Sequence, residues 1–367
     1  MIPLTQPALT GAEKSYVLDA LQQNQLSAGA YVRRFETAFA DWCGARWAVA
    51  CSSGTTALHL ALLAADVGPG TEVIVPALTY IATANAVRYC GAEPVLCEVD
   101  ASGCLDPEHA SRLIGPRTRA IIAVHLYGLL ADMTNLCELA WRHGLIVIED
   151  AAEAHGAQML HYGRWQMEGS MADLAAFSFY GNKILTTGEG GMVTTSQPDL
   201  VARLRQLRGQ GVDPARRYWH PVLGYNYRLS ELPAAVGLAQ VEQANAHVAA
   251  RRQVWAWYQA RLTRVPWLRW LPARAQSLPA YWLPVVLVAD DAPCERDALA
   301  ARLAAAGIET RPVFPALHWQ PIYRQAAAGQ RFLQAEWLSC EGLCLPSYVG
   351  LGSAGVEQVC QAIEAAR

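Results

Sequence analysis

No stretch of this sequence carries a run of like charge. Its 29 basic and 32 acidic residues are interspersed and leave a formal net charge of -3, so the electrostatic footprint of a protein that binds nucleic acid or an anionic membrane is missing. No apolar run reaches the ~18 residues that a membrane-crossing helix needs. The opening Met1-Ile2-Pro3-Leu4-Thr5-Gln6 has neither the basic segment nor the apolar core of a secretory leader. No Cys-x-x-Cys pair occurs among the ten cysteines. Cys340 and Cys344 come nearest and have no histidine cluster beside them, which argues for reduced thiols and against a metal site. Low-complexity linkers and internal repeats are missing too. These absences leave a globular, cytoplasmic protein acting on small molecules, and 367 residues with 53% apolar composition are enough for a sizeable core.

Helical periodicity runs over 11–24 and again over 30–42, where Val32, Phe35, Phe39 and Trp42 recur at three- and four-residue spacing. From Arg46 the pattern alternates. Buried strands are predicted at 46–51, 72–76, 94–99, 120–126 and 145–149, with helices at 57–65, 80–89, 107–114 and 133–143 between them. Strands separated by helices imply an α/β fold: a mostly parallel sheet covered on both faces, with ligands at the carboxyl ends of its strands. The stretch 150–173 is irregular, and strands are predicted at 174–179 and 191–195. A basic, aromatic, glycine-rich loop occupies 209–228. One long helix is predicted over 229–262, with Pro233 near its start, where proline is best tolerated. Strands at 282–288 and 308–313 and helices at 295–306 and 354–365 complete a smaller part. A large domain over 1–245 and a small C-terminal α+β domain over 246–367 follow from this layout.

Two residues at predicted strand ends carry the chemistry. Lys183 lies in Phe177-Ser178-Phe179-Tyr180-Gly181-Asn182-Lys183-Ile184-Leu185, a nucleophilic amine in apolar surroundings just before a Gly-rich turn. Asp150 ends the apolar run Ile146-Val147-Ile148-Glu149. A lysine and an aspartate so placed suit pyridoxal phosphate: the amine forms a Schiff base, and the carboxylate pairs with the pyridinium nitrogen. A helix cap or half of a structural ion pair is the other reading of Asp150. Ser52-Ser53-Gly54-Thr55-Thr56 begins a helix, so free amides and small hydroxyls there suit a phosphate, although a plain Ser/Thr N-cap has the same pattern. Ser178 alternates with Phe177 and Phe179 and is a second phosphate candidate. Tyr80, after a strand end, either stacks on a planar cofactor or belongs to the core. His155, a candidate substrate contact, either supports Asp150 or packs over the ring, or else is a satisfied structural histidine.

In combination, "SSGTTALHLAL" from Ser52, "PALTYIATANAVRYCGAEPV" from Pro76, "HLYG" from His125, "EDAAEAHGA" from Glu149, "FSFYGNKILTTGEGGM" from Phe177 and "GYNYR" from Gly224 resemble the DegT/DnrJ/EryC1/StrS sugar aminotransferases. This family belongs to the fold-type I pyridoxal phosphate enzymes. The resemblance spans nearly the whole chain. It implies that Lys183 carries the cofactor, that Asp150 is the pyridinium partner, that Gly54, Thr55 and Ser178 bind phosphate, and that Tyr80 stacks on the ring. It further implies a homodimer with shared active sites, in which Asn226 reaches the partner's phosphate, and glutamate as the amino donor to a nucleotide-linked ketosugar. Many members have glutamine where this chain has Glu153, the position that contacts the ring hydroxyl. Glutamate there, with "RRYWHPVLGYNYRLS" from Arg216 and "TRPVFPALH" from Thr310, resembles the branch that aminates GDP-4-keto-6-deoxymannose. Leu129-Leu130, where a more polar dipeptide is usual, and Pro233, near where glutamine is usual at the start of the long helix, depart from the pattern. Arg228 and Arg311 are candidates for the anionic groups of glutamate or the sugar diphosphate, or else surface arginines. UDP- or dTDP-linked ketosugars remain alternative acceptors. A sugar dehydratase using the same cofactor is a rival reading, as is a non-catalytic protein that keeps the fold. Related 3-dehydratases have histidine in place of the lysine, and a non-catalytic protein would be expected to lose Lys183 or Asp150.

Overall fold

The structure, a computed structural model, describes all residues except 28, 326, 328 and 367. Short apolar runs bounded by turns become the strands of a seven-stranded sheet. These are β1 (Trp47–Cys51), β2 (Glu72–Pro76), β3 (Glu93–Cys97), β4 (Thr118–Val124) and β5 (Ile146–Asp150). After a hairpin of β6 (Gln158–His161) and β7 (Arg164–Met167) come β8 (Leu174–Ser178) and β9 (Gly191–Thr195). The order is β1-β9-β8-β5-β4-β2-β3. Pairing from β8 through β5, β4 and β2 to β3 is parallel, and β9 alone runs against its neighbours β1 and β8. Nearly all residues of β1, β5, β8 and β9 are buried, as a sheet covered on both faces requires.

The covering helices are α1 (Glu13–Gln22), α2 (Ala30–Cys43), α3 (Gly54–Ala64), α4 (Ala82–Tyr89), α5 (Pro107–Leu113), α6 (Met133–His143) and α7 (Pro198–Arg208). The segment predicted as one long helix is two, α8 (Glu231–Glu242) and α9 (Ala244–Leu262). At Gln243 (φ −106°, ψ 2°) the backbone leaves helical geometry. The cause is tertiary. Gln240 of α8 donates to the Ala8 carbonyl and the Glu13 carboxylate, tying α8 to the N-terminal segment, whereas Val254, Tyr258 and Leu262 of α9 sit in a second core. Two cores demand two axes. Pro233 is the third residue of α8, where no intrahelical donor is needed.

The remaining chain contributes β10 (Leu268–Trp270), β11 (Ser277–Leu278), β12 (Val285–Val288), α10 (Arg296–Ala305), β13 (Arg311–Pro312), α11 (Pro321–Arg324), α12 (Leu333–Glu341), β14 (Gly342–Cys344) and α13 (Gly352–Glu364). A four-stranded antiparallel sheet has the order β10-β12-β14-β13, and β11 joins the hairpin as β11-β6-β7. Along β12 the pleat divides the side chains. Val285 and Leu287 enter the core of the large sheet, and Val286 and Val288 enter the second core. Among the described residues no helix is long and apolar enough to cross a membrane.

Candidate active site

The carboxyl ends of β5 and β8 open onto a cavity of about 530 Å³. Its lining includes Gly54, Thr55, Tyr80, Asp150, Glu153, Ser178, Lys183 and Arg311. These were separate motifs in the sequence; the parallel sheet brings all but Arg311 together, and Arg311 comes from β13 of the antiparallel sheet.

At one end, Ser53 caps α3: its side chain accepts from the Thr56 N–H, and the Thr56 hydroxyl accepts from the Ser53 N–H. The first amides of α3, those of Gly54 and Thr55, have no intrahelical partner and carry the positive end of the helix dipole. Two glycines allow this crowding. A Cβ on Gly54 would lie 2.7 Å from Ser178 Cβ, and one on Gly191 of β9 would lie 2.1 Å from the Ser53 carbonyl oxygen. Without side chains at these positions, the turn, Ser178 and β9 close into one anion cradle.

Asp150 lines the same cavity. Its Oδ2 accepts from the Thr83 hydroxyl at 2.8 Å, and its Oδ1 accepts from the Ala152 N–H at 3.3 Å. Burial pushes its carboxyl above the usual carboxylate range, against these hydrogen bonds and the charge of Lys183. A cationic ring nitrogen is the partner such a group lacks. Glu149, the preceding residue, points the other way. It accepts from the N–H groups of Gly169, Met171 and Ala172 and lies 3.0 Å from His125 Nε2, which fixes the approach to β8. Glu149 bears one mark in the sequence, the alternation along β5 that turns it away from Asp150.

Lys183 follows β8 in a tight turn, its N–H donating to the Tyr180 carbonyl at 2.9 Å. Its Nζ lies 3.4 Å from Glu153 Oε1 and 3.8 Å from the centroid of the Trp282 ring. Burial also pushes the Glu153 carboxyl up, opposed by Lys183 and by the Tyr127 N–H that donates to Oε2 at 2.9 Å. Tyr80 is 57% exposed and tilts against Phe314 with centroids 5.6 Å apart. Arg311 is at the wall, 3.3 Å from Glu309. Thr83, Trp282 and Phe314 also line the cavity and were missed, since no local pattern marks them. The sharpest overlooked signal is global: the chain has two lysines, Lys14 and Lys183, and Lys14 is exposed on α1.

Three other candidates lie outside this cavity. His155 is fully buried among Phe39, Phe177 and Phe179, with ring centroids 5.2 to 6.3 Å away, and neither ring nitrogen has a partner. It therefore sits in the aromatic core, where a substrate cannot touch it. Asn226 and Arg228 are exposed, while the alternating Tyr225 and Tyr227 are half-buried and pack on His59. Arg228 donates to Asn226 Oδ1 at 3.3 Å, and neither lines the cavity of its own chain. Leu129 and Leu130 are buried in the main core and do not line the cavity either.

Burial, and secondarily the charge of Lys183, pushes His155 down from 6.5 to about 3. The unfolded chain binds a proton there below about pH 6.5 while the folded chain does not, so stability falls as pH drops from that value toward the folded one. Between pH 7 and pH 5 this site alone costs about 2 kcal/mol. Urea unfolding at the two pH values should show a smaller difference for His155→Phe than for the natural protein, and an equal difference would contradict the assignment.

An anion cradle at a helix start, a buried carboxylate and a lysine that line one cavity define a pyridoxal phosphate enzyme. The donor set fits the group: amides and hydroxyls for the phosphate, Asp150 for the ring nitrogen, an amine for the aldehyde. Comparison with known proteins agrees. The model of the DegT/DnrJ/EryC1/StrS aminotransferase family matches residues 7–364. The chain is 47% identical to a GDP-perosamine synthase of Caulobacter vibrioides, covering 99% of this chain and 97% of that one. It is 40% identical to a GDP-perosamine synthase of Escherichia coli O157:H7, with 99% and 97% covered. Among solved structures, DesV of S. venezuelae superposes with a TM-score of 0.91 at 37% identity, covering 97% of this chain and 94% of that one. The aminotransferase TlmJ of Streptoalloteichus hindustanus gives 0.92 at 30%, with 100% and 98% covered. The chain belongs to the DegT/DnrJ/EryC1/StrS aminotransferase family, and its cofactor is pyridoxal 5'-phosphate.

Proposed function

We propose that this protein transfers the amino group of glutamate to carbon 4 of GDP-4-keto-6-deoxymannose, giving GDP-perosamine. The observation that carries the reading is the conjunction, in one cavity, of Lys183 with Asp150, Glu153 and the Ser53–Thr55 cradle, in a chain close in sequence to GDP-perosamine synthases over its whole length.

When bound, the cofactor supplies an electron sink for the carbon that bears the amine. The protein does the rest. Gly54, Thr55 and Ser178 hold the phosphate, Tyr80 stacks on the ring, Glu153 meets the ring hydroxyl, and Asp150 keeps the ring nitrogen protonated. Lys183 Nζ takes the proton from the amine-bearing carbon of glutamate and delivers one to carbon 4 of the sugar in the return half. Arg311, at the cavity wall, meets an anionic group of donor or acceptor. In this reading the enzyme is a cytoplasmic homodimer. Asn226 and Arg228, exposed beside the cradle turn, serve the partner's site. Residues 1–245 hold the cofactor, and 246–367 close the cavity with Trp282, Arg311 and Phe314. Retention of Lys183 favours amine transfer over dehydration.

The acceptor is tested by supplying glutamate with GDP-, UDP- and dTDP-linked 4-keto-6-deoxyhexoses and following the aminated products by mass. A wrong sugar or base leaves buried polar groups unpaired at about 1 to 3 kcal/mol each, so turnover per substrate concentration should favour the GDP-sugar at least about tenfold. A preference for a UDP- or dTDP-sugar would overturn the assignment.

A further inference from the structure

Trp282 is tied to Lys183 at two points. Its Nε1 donates to the Asn182 carbonyl at 2.7 Å, so it grips the peptide that leads into the lysine. Its ring face lies 3.8 Å from Lys183 Nζ, so it also meets the tip of the side chain. The ring itself is held in place: Trp282 is 4% exposed, and it lies nearly parallel to Tyr127, with ring centroids 6.2 Å apart and an interplanar angle of 14°. Tyr127 is the residue whose N–H donates to Glu153. Glu153 and Trp282 thus form two jaws around one nitrogen, and both are braced through Tyr127.

A lysine that carries a cofactor must also exist as a free amine while the cofactor holds the substrate's nitrogen. Left loose, a four-carbon stem has many rotamers, and each return to the reacting carbon would require re-ordering them. An aromatic face attracts an ammonium without taking its proton and without a fixed hydrogen-bond direction. The nitrogen can therefore be retained and still swing. We propose that Trp282 is a positioning residue that holds the released Lys183, as its ammonium, against Glu153 between its turns of chemistry. This rests on Lys183 being the cofactor-carrying lysine.

The test uses the full-length protein stripped of cofactor with hydroxylamine and trace-labelled with an acid anhydride across a pH series. Labelling of Lys183 is read by mass against Lys14, the exposed internal standard. Trp282→Leu removes the aromatic face, and its labelling profile should move to lower pH, with Lys183 about tenfold more reactive near neutrality and the same plateau at high pH. Trp282→Phe keeps a weaker face and should give about a threefold rise. If the leucine variant does not fold, the phenylalanine variant alone decides the matter. An unchanged ratio overturns the proposal. So does a rise that is uniform at every pH, which would mean only wider access. Failure of the Lys183 assignment itself is separate: borohydride reduction of the loaded protein would then leave the Lys183 peptide unmarked.

Discussion

Replacing Lys183 with alanine is expected to remove the visible absorption of the purified protein and to lower turnover by at least about 10³-fold, since one residue serves as both nucleophile and proton carrier. The geometry gives no substitute. The other polar side chains that line the cavity are carboxylates, hydroxyls, the Asn182 amide, the Trp282 indole and the Arg311 guanidinium, and none of them serves as an imine-forming amine. Borohydride reduction of the natural protein should fix the cofactor on the Lys183 peptide and leave the Lys14 peptide unmodified. A Lys183→Ala protein that stayed yellow and kept its turnover would end the assignment.

The second large effect is recovery of activity by mixing. Asn226 faces outward because Tyr225 and Tyr227 on either side of it are turned in against His59, and it lines no part of its own chain's cavity. If it completes the partner's phosphate site, Lys183→Ala and Asn226→Ala subunits together form dimers with one native site and one doubly altered site. Random reassortment of equal amounts then restores about a quarter of natural activity. With sharing, Asn226→Ala alone is lowered roughly 10- to 100-fold by loss of a phosphate contact, so the mixture rises well above the half of that level that unshared sites would give. No gain over that level, with exchange of subunits verified by native mass, would place Asn226 outside the site.

Much of this site could be read before the fold was known, for reasons that differ by residue. Asp150 and Ser178 end short apolar runs, and strand ends of a parallel sheet face the ligand, so position in the pattern carries the information. Gly54 and Thr55 open a helix after a strand. Thr83, Phe314 and Trp282 have no such mark, because they reach the cavity from α4 and from two segments 99 (Trp282) and 131 (Phe314) residues beyond Lys183, and only the chain's path brings them there. Glu149 was hidden by its neighbour: a pair of carboxylates ends β5, and the strand sends one to the cavity and the other to the loop at 169–172. The long helix over 229–262 failed at Gln243 because nothing local breaks it, and the two cores that pull it apart are far apart in sequence. The hairpin of β6 and β7 escaped notice within a stretch rich in turn residues, with Tyr162 and Gly163 both at positive φ.

β12 has no solvent side. Val285 and Leu287 belong to one core, and Val286 and Val288 to the other, so this four-residue strand is a party wall between two rooms. A chain cut between α8 and α9 would leave the N-terminal piece with an open apolar floor and the C-terminal piece with a bare outer face. Neither fragment would have a surface fit for water. The stretch that bears Trp282 and Arg311 therefore owes its shape to the stretch that bears Lys183.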